Sequence, residues 1–450
     1  MFDFLSNILT GKPSKHSVKL ASMSPKISTY VGLIVAILIP ILFVALLFVG
    51  CGGSGGGGSQ RALDSYAISF YDAELDLLDR ENIAIGSVVD LDDRKIKYGV
   101  DDWYLANNET AIDGNFTPDS DISFYAANGV IEVSSQAELD AVRDNMSGSY
   151  LLVEDIVLQA GEDGFDETQG WLPIGDNSGA YYQTDTTFRG TFNGNGHKIS
   201  GLWVDRPLLA HTGLFGFVSN GGTIKNIGVL IDENRSVRGE DFVGGIAGSV
   251  RNNSTLSNSY SIGSVIGQHF VGGVVGYVSN ISTVNNTYSI GDVRGVITDV
   301  IGSGDSVGGI AGYVLGNSTL SNSYSTASVS GVDFVGGIAG TAVTNTTIIN
   351  NAAINQKIDG TANETNRVVG SIWNNNTISN NFASAAIKIN GFIRTVDDVD
   401  GLEGGSKIRG ELKTKATYED GLGWSFGESV LSPWKIDDGV GYPYLYWEDR

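Results

Sequence analysis

The residues of this 450-residue chain best suited to proton transfer or zinc binding near neutral pH are four histidines, His16, His197, His211 and His269. None belongs to a His-Glu-x-x-His pattern, the spacing by which one helix presents two zinc ligands and a general base. The single cysteine, Cys51, closes an apolar run and is taken up by another role below. The sequence is read as lacking a Gly-x-Ser-x-Gly elbow set between strand and helix, and as lacking a phosphate loop with its lysine. Gly-rich phrases such as Gly302-Ser303-Gly304 are read as corners.

Carboxylates are plentiful but no acid pair stands out, and the repeats described below are rich in Ser, Asn and Thr instead. Asp397-Asp398-Val399-Asp400-Gly401 begins like a calcium loop but lacks the alternating start and the glutamate at position twelve, so it reads as an acidic turn. Asp90-Leu91-Asp92-Asp93 reads the same way. No catalytic residue, metal or cofactor is therefore expected. A carbohydrate-cleaving site built from carboxylates on an outer β-helix face is the enzymatic alternative.

What must position any site is a repeated phrase. Phe242-Val243-Gly244-Gly245-Ile246-Ala247-Gly248 returns at Phe270, at Ser306 and at Phe334, with starts 28, 36 and 28 residues apart. Twelve residues after the first glycine of each pair stands an aliphatic residue (Leu256, Val284, Leu320, Ile348), and two later an asparagine (Asn258, Asn286, Asn322, Asn350). Tyr260, Tyr288 and Tyr324 follow in three copies, with Ala352 in the fourth. Degenerate copies flank these, carrying Ile224 and Asn226 before them and Ile378, Asn380 and Phe382 after.

A fixed period of this length, with Gly and Asn punctuating strand-length segments, predicts an all-β parallel β-helix, a β-solenoid whose coils stack in register. Each coil is expected to hold three short strands and three corners. The aliphatics should point inward, the asparagines should ladder at a corner, and the aromatics should run along one face. The glycines Gly244, Gly245, Gly248, Gly272, Gly273, Gly276, Gly308, Gly309, Gly312, Gly336, Gly337 and Gly340 suit positive φ or close backbone approach. A sandwich of many short strands is the alternative fold, but it does not require equivalent residues at a fixed period.

The phrase Val-Gly-Gly-Ile-Ala-Gly, followed by Ser-Thr-Leu-Ser-Asn-Ser-Tyr-Ser-Ile-Gly-Ser-Val, resembles the GLUG-motif repeat of bacterial surface proteins. That repeat occurs in adhesin-like proteins and in some immunoglobulin-A metallopeptidases. The likeness extends through flanking segments over roughly residues 129–448. It implies architecture and a cell-surface setting and carries no catalytic residue.

The N-terminal stretch gives an address. Residues 31–50 are an uncharged apolar run preceded by Lys12, Lys15, Lys19 and Lys26 and ended by Cys51. Phe48-Val49-Gly50-Cys51 resembles a bacterial lipobox, which implies lipidation of Cys51. A run this long can also span a bilayer, so an uncleaved signal anchor is the alternative. Either way residues 52–450 are expected outside the cytoplasm, tethered to the cell envelope.

The formal charge is −23, or −26 beyond residue 51, which disfavours nucleic acid as a partner. The expected partners are the membrane, through the lipid or residues 31–50, and a glycan or extracellular protein ligand. Residues 1–51 form the signal or anchor, 52–60 a Gly/Ser tether, and 61–128 a small β-rich stalk module similar in order to the β-grasp-like repeat of internalin-type proteins. Residues 129–210 form the cap and first coils, 211–390 the repeats, and 391–450 a C-terminal coil and closing segment. Within the cap, Ser135-Gln136-Ala137-Glu138 is a capping box that predicts a helix to about Asn145, with Leu139 and Val142 on one face. The third copy carries an inserted loop, Val296 to Asp305, expected to be exposed and dispensable for folding. The functional expectation is a non-enzymatic, adhesin-like binding or display protein, with a passive envelope scaffold as the alternative.

Overall fold

Successive copies of the repeat lie side by side, and every pairing between them is parallel. The strands Phe215–Val218, Ala247–Arg251, Val275–Ser279, Ala311–Leu315, Ala339–Val343 and Val369–Trp373 make one six-stranded sheet in that order. The chain is a parallel β-helix, described in a computed structural model over residues 65–175, 186–296, 305–361, 364–394 and 396–448. Cys51, the run 31–50, the tether and residues 297–304 of the insertion lie outside the described residues.

Register follows the repeat. Leu256 pairs with Val284, Val284 with Leu320, Leu320 with Ile348, and Ile348 with Ile378. The first four of these are fully buried in one core cluster. The coil differs from expectation in having five short strand segments where three were expected. In one coil these are His269–Gly272, Val275–Ser279 and the thirteen-residue Thr283–Gly295, which bends twice, at Asn286 and Gly291. The bends come from left-handed backbone: φ is 48° at Asn258, 51° at Asn286 and at Asn322, and 60° at Asn350. Asparagine tolerates this region better than other residues with a Cβ.

The twelve repeat glycines serve the second of their two suggested purposes. None has positive φ. A Cβ on Gly276 would collide with the backbone of Phe242 and Val243, and one on Gly312 with that of Phe270 and Val271. They are small because backbones of neighbouring coils cross there.

The N-terminal end is closed by the helix Gln136–Asp140 and a 3₁₀ turn Ala141–Asp144, with Leu139 and Val142 buried in the core. Ser135 Oγ accepts from the Glu138 amide, while the Glu138 carboxylate accepts from Ser134 N and Oγ, one residue earlier than a capping box requires.

The segment before it has a hairpin, a helix and a third strand. Ser65–Tyr71 runs antiparallel to Leu77–Ala84 and parallel to Ile122–Tyr125, and the helix is Leu91–Tyr98. It is not a free stalk. Lys225 Nζ lies 2.7 Å from Asp76 Oδ1, and Tyr71, Leu75 and Tyr125 share a buried cluster with Val130 and Leu151 of the solenoid. The module has a small core of its own around Phe70, Trp103 and Phe124, and the shared cluster fastens it to the coils.

Candidate binding groove

The outward surface has three kinds of lateral face. The first carries the tyrosine ladder, which stacks as expected, at 4.7 Å between the rings of Tyr260 and Tyr288 and 4.9 Å between Tyr288 and Tyr324. It is closed to ligands. The closing segment folds back over it: Trp447 stacks on Tyr260 at 5.5 Å, Trp434 lies 5.9 Å from Tyr324, Tyr288 Oη donates to Glu448 and Tyr324 Oη to the Pro443 carbonyl. Burial raises the Tyr288 phenol far above its ordinary range, so it stays protonated as a donor. This row is therefore filled by the chain's own closing segment. Rings of this size cost too much to leave wet when Trp424, Trp434 and Trp447 can cover them.

The second face holds another aromatic column. His211 stacks on Phe242 at 4.6 Å and Phe242 on Phe270 at 5.2 Å, with Arg251 over Phe242 and over Tyr277 at 4.3 Å. His211, Phe242 and Phe270 all have φ between 54° and 58°. His211 Nδ1 is 2.8 Å from Ser249 Oγ, which resembles half a catalytic dyad. Both groups are buried, and burial, helped by Arg251, pushes the His211 pKa down to about 3. Its place is in the stack, face to face with Phe242 and Phe217.

The third face is open among the described residues. Its outward row reads Asp205, Arg238, Ile266, Arg294, Ser330 and Asp359 across six coils. The neighbouring row reads Ser236, Ser264, Asp292 and Ser328. Between these rows run two concavities of about 460 and 660 Å³, which share Ile266 and Arg294. The upper one has Trp203 and Arg235 as its wall, with the guanidinium 3.9 Å above the indole.

At the corner beside this groove, Asp241, His269, Asp305 and Asp333 fall at equivalent positions of successive coils. His269 Nδ1 lies 2.8 Å from Asp241 Oδ1. Burial raises the Asp305 pKa, yet its carboxylate is fully enclosed and accepts the amides of Val332 and Asp333. This corrects the expectation for the insertion: its last residue is a structural clasp holding the next coil, not an exposed loop.

Three stretches do match the Gly-x-Ser-x-Gly spacing that the sequence was read as lacking: Gly52-Gly53-Ser54-Gly55-Gly56 in the tether, outside the described residues, Gly423-Trp424-Ser425-Phe426-Gly427 in the closing segment, and Gly304-Asp305-Ser306-Val307-Gly308 here. Ser306 opens a strand of a parallel sheet, is buried, and pairs with Thr341 Oγ1 at 2.7 Å, so it is no exposed elbow.

The remaining predicted positions are structural. Asn286 Nδ2 donates to Asn258 Oδ1 at 3.0 Å and Asn380 Nδ2 to Asn350 Oδ1 at 2.8 Å, while Asn322 continues the row of left-handed corners. Asp397 and Asp400 accept the amides of Ser406 and Asn380, and His197 lies 3.1 Å from Asp155 at the surface. Among the described residues no cluster of three or more His, Cys, Asp or Glu is arranged to hold a metal.

The fold places the chain among the parallel β-helix proteins. No family model matches it. Among solved structures it is similar to a protein from Bacteroides ovatus assigned by inference as an immunoglobulin A1 protease, with TM-score 0.51 and 20% identity over 72% of this chain and 94% of that one. It also aligns with an IgA1 protease at TM-score 0.36 and 15% identity, over 73% of this chain and 25% of that one. At 20% identity the first of these likenesses is one of fold.

Two curated relatives match parts of the chain. Halomucin of Haloquadratum walsbyi is 33% identical over 179 residues, 38% of this chain and 2% of halomucin. A protein of Evansella cellulosilytica assigned by inference as a Gly-rich membrane protein is 35% identical over 102 residues, 22% of this chain and 11% of that protein. The matches thus span a small part of either relative's length.

Proposed function

We propose that the chain is an envelope-tethered β-solenoid that binds an extracellular ligand in the open groove and does not convert it. The observation that carries this reading is the groove itself: a concave run of outward rows that varies from coil to coil, beside a tyrosine face that is already filled. The raised acid Asp305 at its rim is enclosed. Lipidation of Cys51, or retention of residues 31–50 as an anchor, supplies the tether. The names of the two curated relatives, a mucin-like name and a membrane protein, agree with an envelope setting. The GLUG-like phrasing of the repeats supports the same placement.

The test is a screen of the full chain, purified in detergent, against immobilised glycans and matrix proteins. Each polymer is also sized after long incubation. Binding without shortening is expected. A shortened polymer or a cleaved protein would overturn the non-catalytic reading, and an empty screen would favour a passive scaffold.

A further inference from the structure

The upper part of the groove departs from the rest of the molecule in charge. The chain carries 51 acidic and 28 basic residues, and most cations of the described part are held by carboxylates or carbonyls. Three arginines nonetheless converge on one concavity of about 460 Å³: Arg235, Arg238 and Arg294. Arg238 reaches Asp205 at 3.4 Å. Among the described residues, Arg235 has only the Trp203 ring beneath it, and Arg294 has no ion-pair or hydrogen-bond partner.

The repeat makes this placement specific. Arg238, Ile266 and Arg294 are consecutive members of one outward row, so two guanidinium groups flank an apolar floor. Strand spacing sets them roughly 9.5 Å apart along the solenoid axis, two coils. Adjacent arginines would repel; alternate ones leave room for one uncharged unit of a ligand between two charged ones. Further down, the rows turn to Ser328 and Ser330 and then to Lys357 paired with Asp359, and Asp292 bounds the basic part on the neighbouring row.

We infer that this part of the groove is a site for an acidic polysaccharide bearing a carboxylate or sulfate on alternate sugars. Arg238 and Arg294 each grip one anionic group, Ile266 packs on the sugar ring between them, and Arg235 closes the near wall. Guanidinium suits this task because its fork pairs with a carboxylate or sulfate through two parallel N–H donors. The net charge of −23 works against indiscriminate attraction of polyanions, so recognition depends on spacing.

This inference rests on the binding reading above and is tested separately from it. The full chain is titrated with hyaluronan, which carries a carboxylate on every second sugar, with neutral dextran, and with double-stranded DNA. Hyaluronan should bind, with affinity falling as salt rises. R294A and R238A should each weaken it about tenfold or more with unchanged melting, and R294K should recover part of the loss. Equal binding of DNA would reduce the site to general charge attraction and overturn the inference. Hyaluronan affinity unmoved by R294A and R238A, or absence of hyaluronan binding while a neutral polymer binds, would also overturn it and leave the groove reading standing. Failure of every polymer here and in the wider screen would remove both.

Discussion

At the scale of single residues, the solenoid is held by side chains that repair what its bends expose. Asparagine does this twice over, taking the left-handed corner and passing a hydrogen bond to the next coil. Replacing Asn286 by alanine removes its bond to Asn258 and places an unfavourable residue at φ 51°, which should cost about 1–2 kcal/mol. Glycine at the same position recovers the backbone share only. Thermal midpoints should fall in the order wild type, N286G, N286A; an N286A melt equal to wild type would contradict the corner's role.

His211 gives a pH signature. Its pKa is about 3 in the folded chain against 6.5 when free, so the unfolded state binds the extra proton between those values. Stability from this site is complete above about pH 6.5 and is lost as pH falls toward 3, by on the order of 5 kcal/mol. H211F should flatten that part of the stability–pH curve, because phenylalanine already occupies the same column and the same φ at Phe242 and Phe270. Denaturant unfolding at several pH values reads the slope directly.

Elements show which parts of the fold were legible in the sequence. Stacking, parallel register and the inward row could be read because a coil's neighbours are its own copies, so one period carries both the strand and its partner. Leu320 lies fully buried between Val284 and Ile348. L320D therefore buries an unpaired charge and should destabilise by at least about 4 kcal/mol, melting neighbouring coils with it. A midpoint within a degree or two of wild type would mean the register is wrong.

Other elements were hidden for a physical reason. The cover over the tyrosines joins Trp434 to Tyr324 and Trp447 to Tyr260, contacts between distant stretches that no period announces. The docking of Asp76 on Lys225 is of the same kind. The five-segment coil was missed because bends at Asn286 and Gly291 fall inside a stretch whose residue types read as continuous strand. A row of glycines at 239, 267, 295, 331 and 360, packed under the groove's corner, recurs in the sequence outside the Val-Gly-Gly phrase.

At the largest scale, the described residues 65–448 form a stack in which the groove side is open. Its N-terminal end is capped, its tyrosine side is covered by the closing segment, its second aromatic column packs ring on ring, and the groove side varies from coil to coil. Outward residues there follow no repeat: Asp205, Arg238, Ile266, Arg294, Ser330, Asp359. Folding alone needs no such variety on a solvated face, which is why the groove is assigned the binding role. It is also why the repeat pattern gave no sign of it. The measurement that tests this most directly fills the groove without touching the core. S236W and S264W, at outward positions lining the upper and the lower concavity, are combined in the full chain, and retention on the polymer found by screening is compared with wild type. The account predicts that retention is lost while the thermal midpoint stays within about two degrees and the polymer keeps its length in both cases. Undiminished retention by the filled variant, or shortening of the polymer by the wild-type chain, would contradict it.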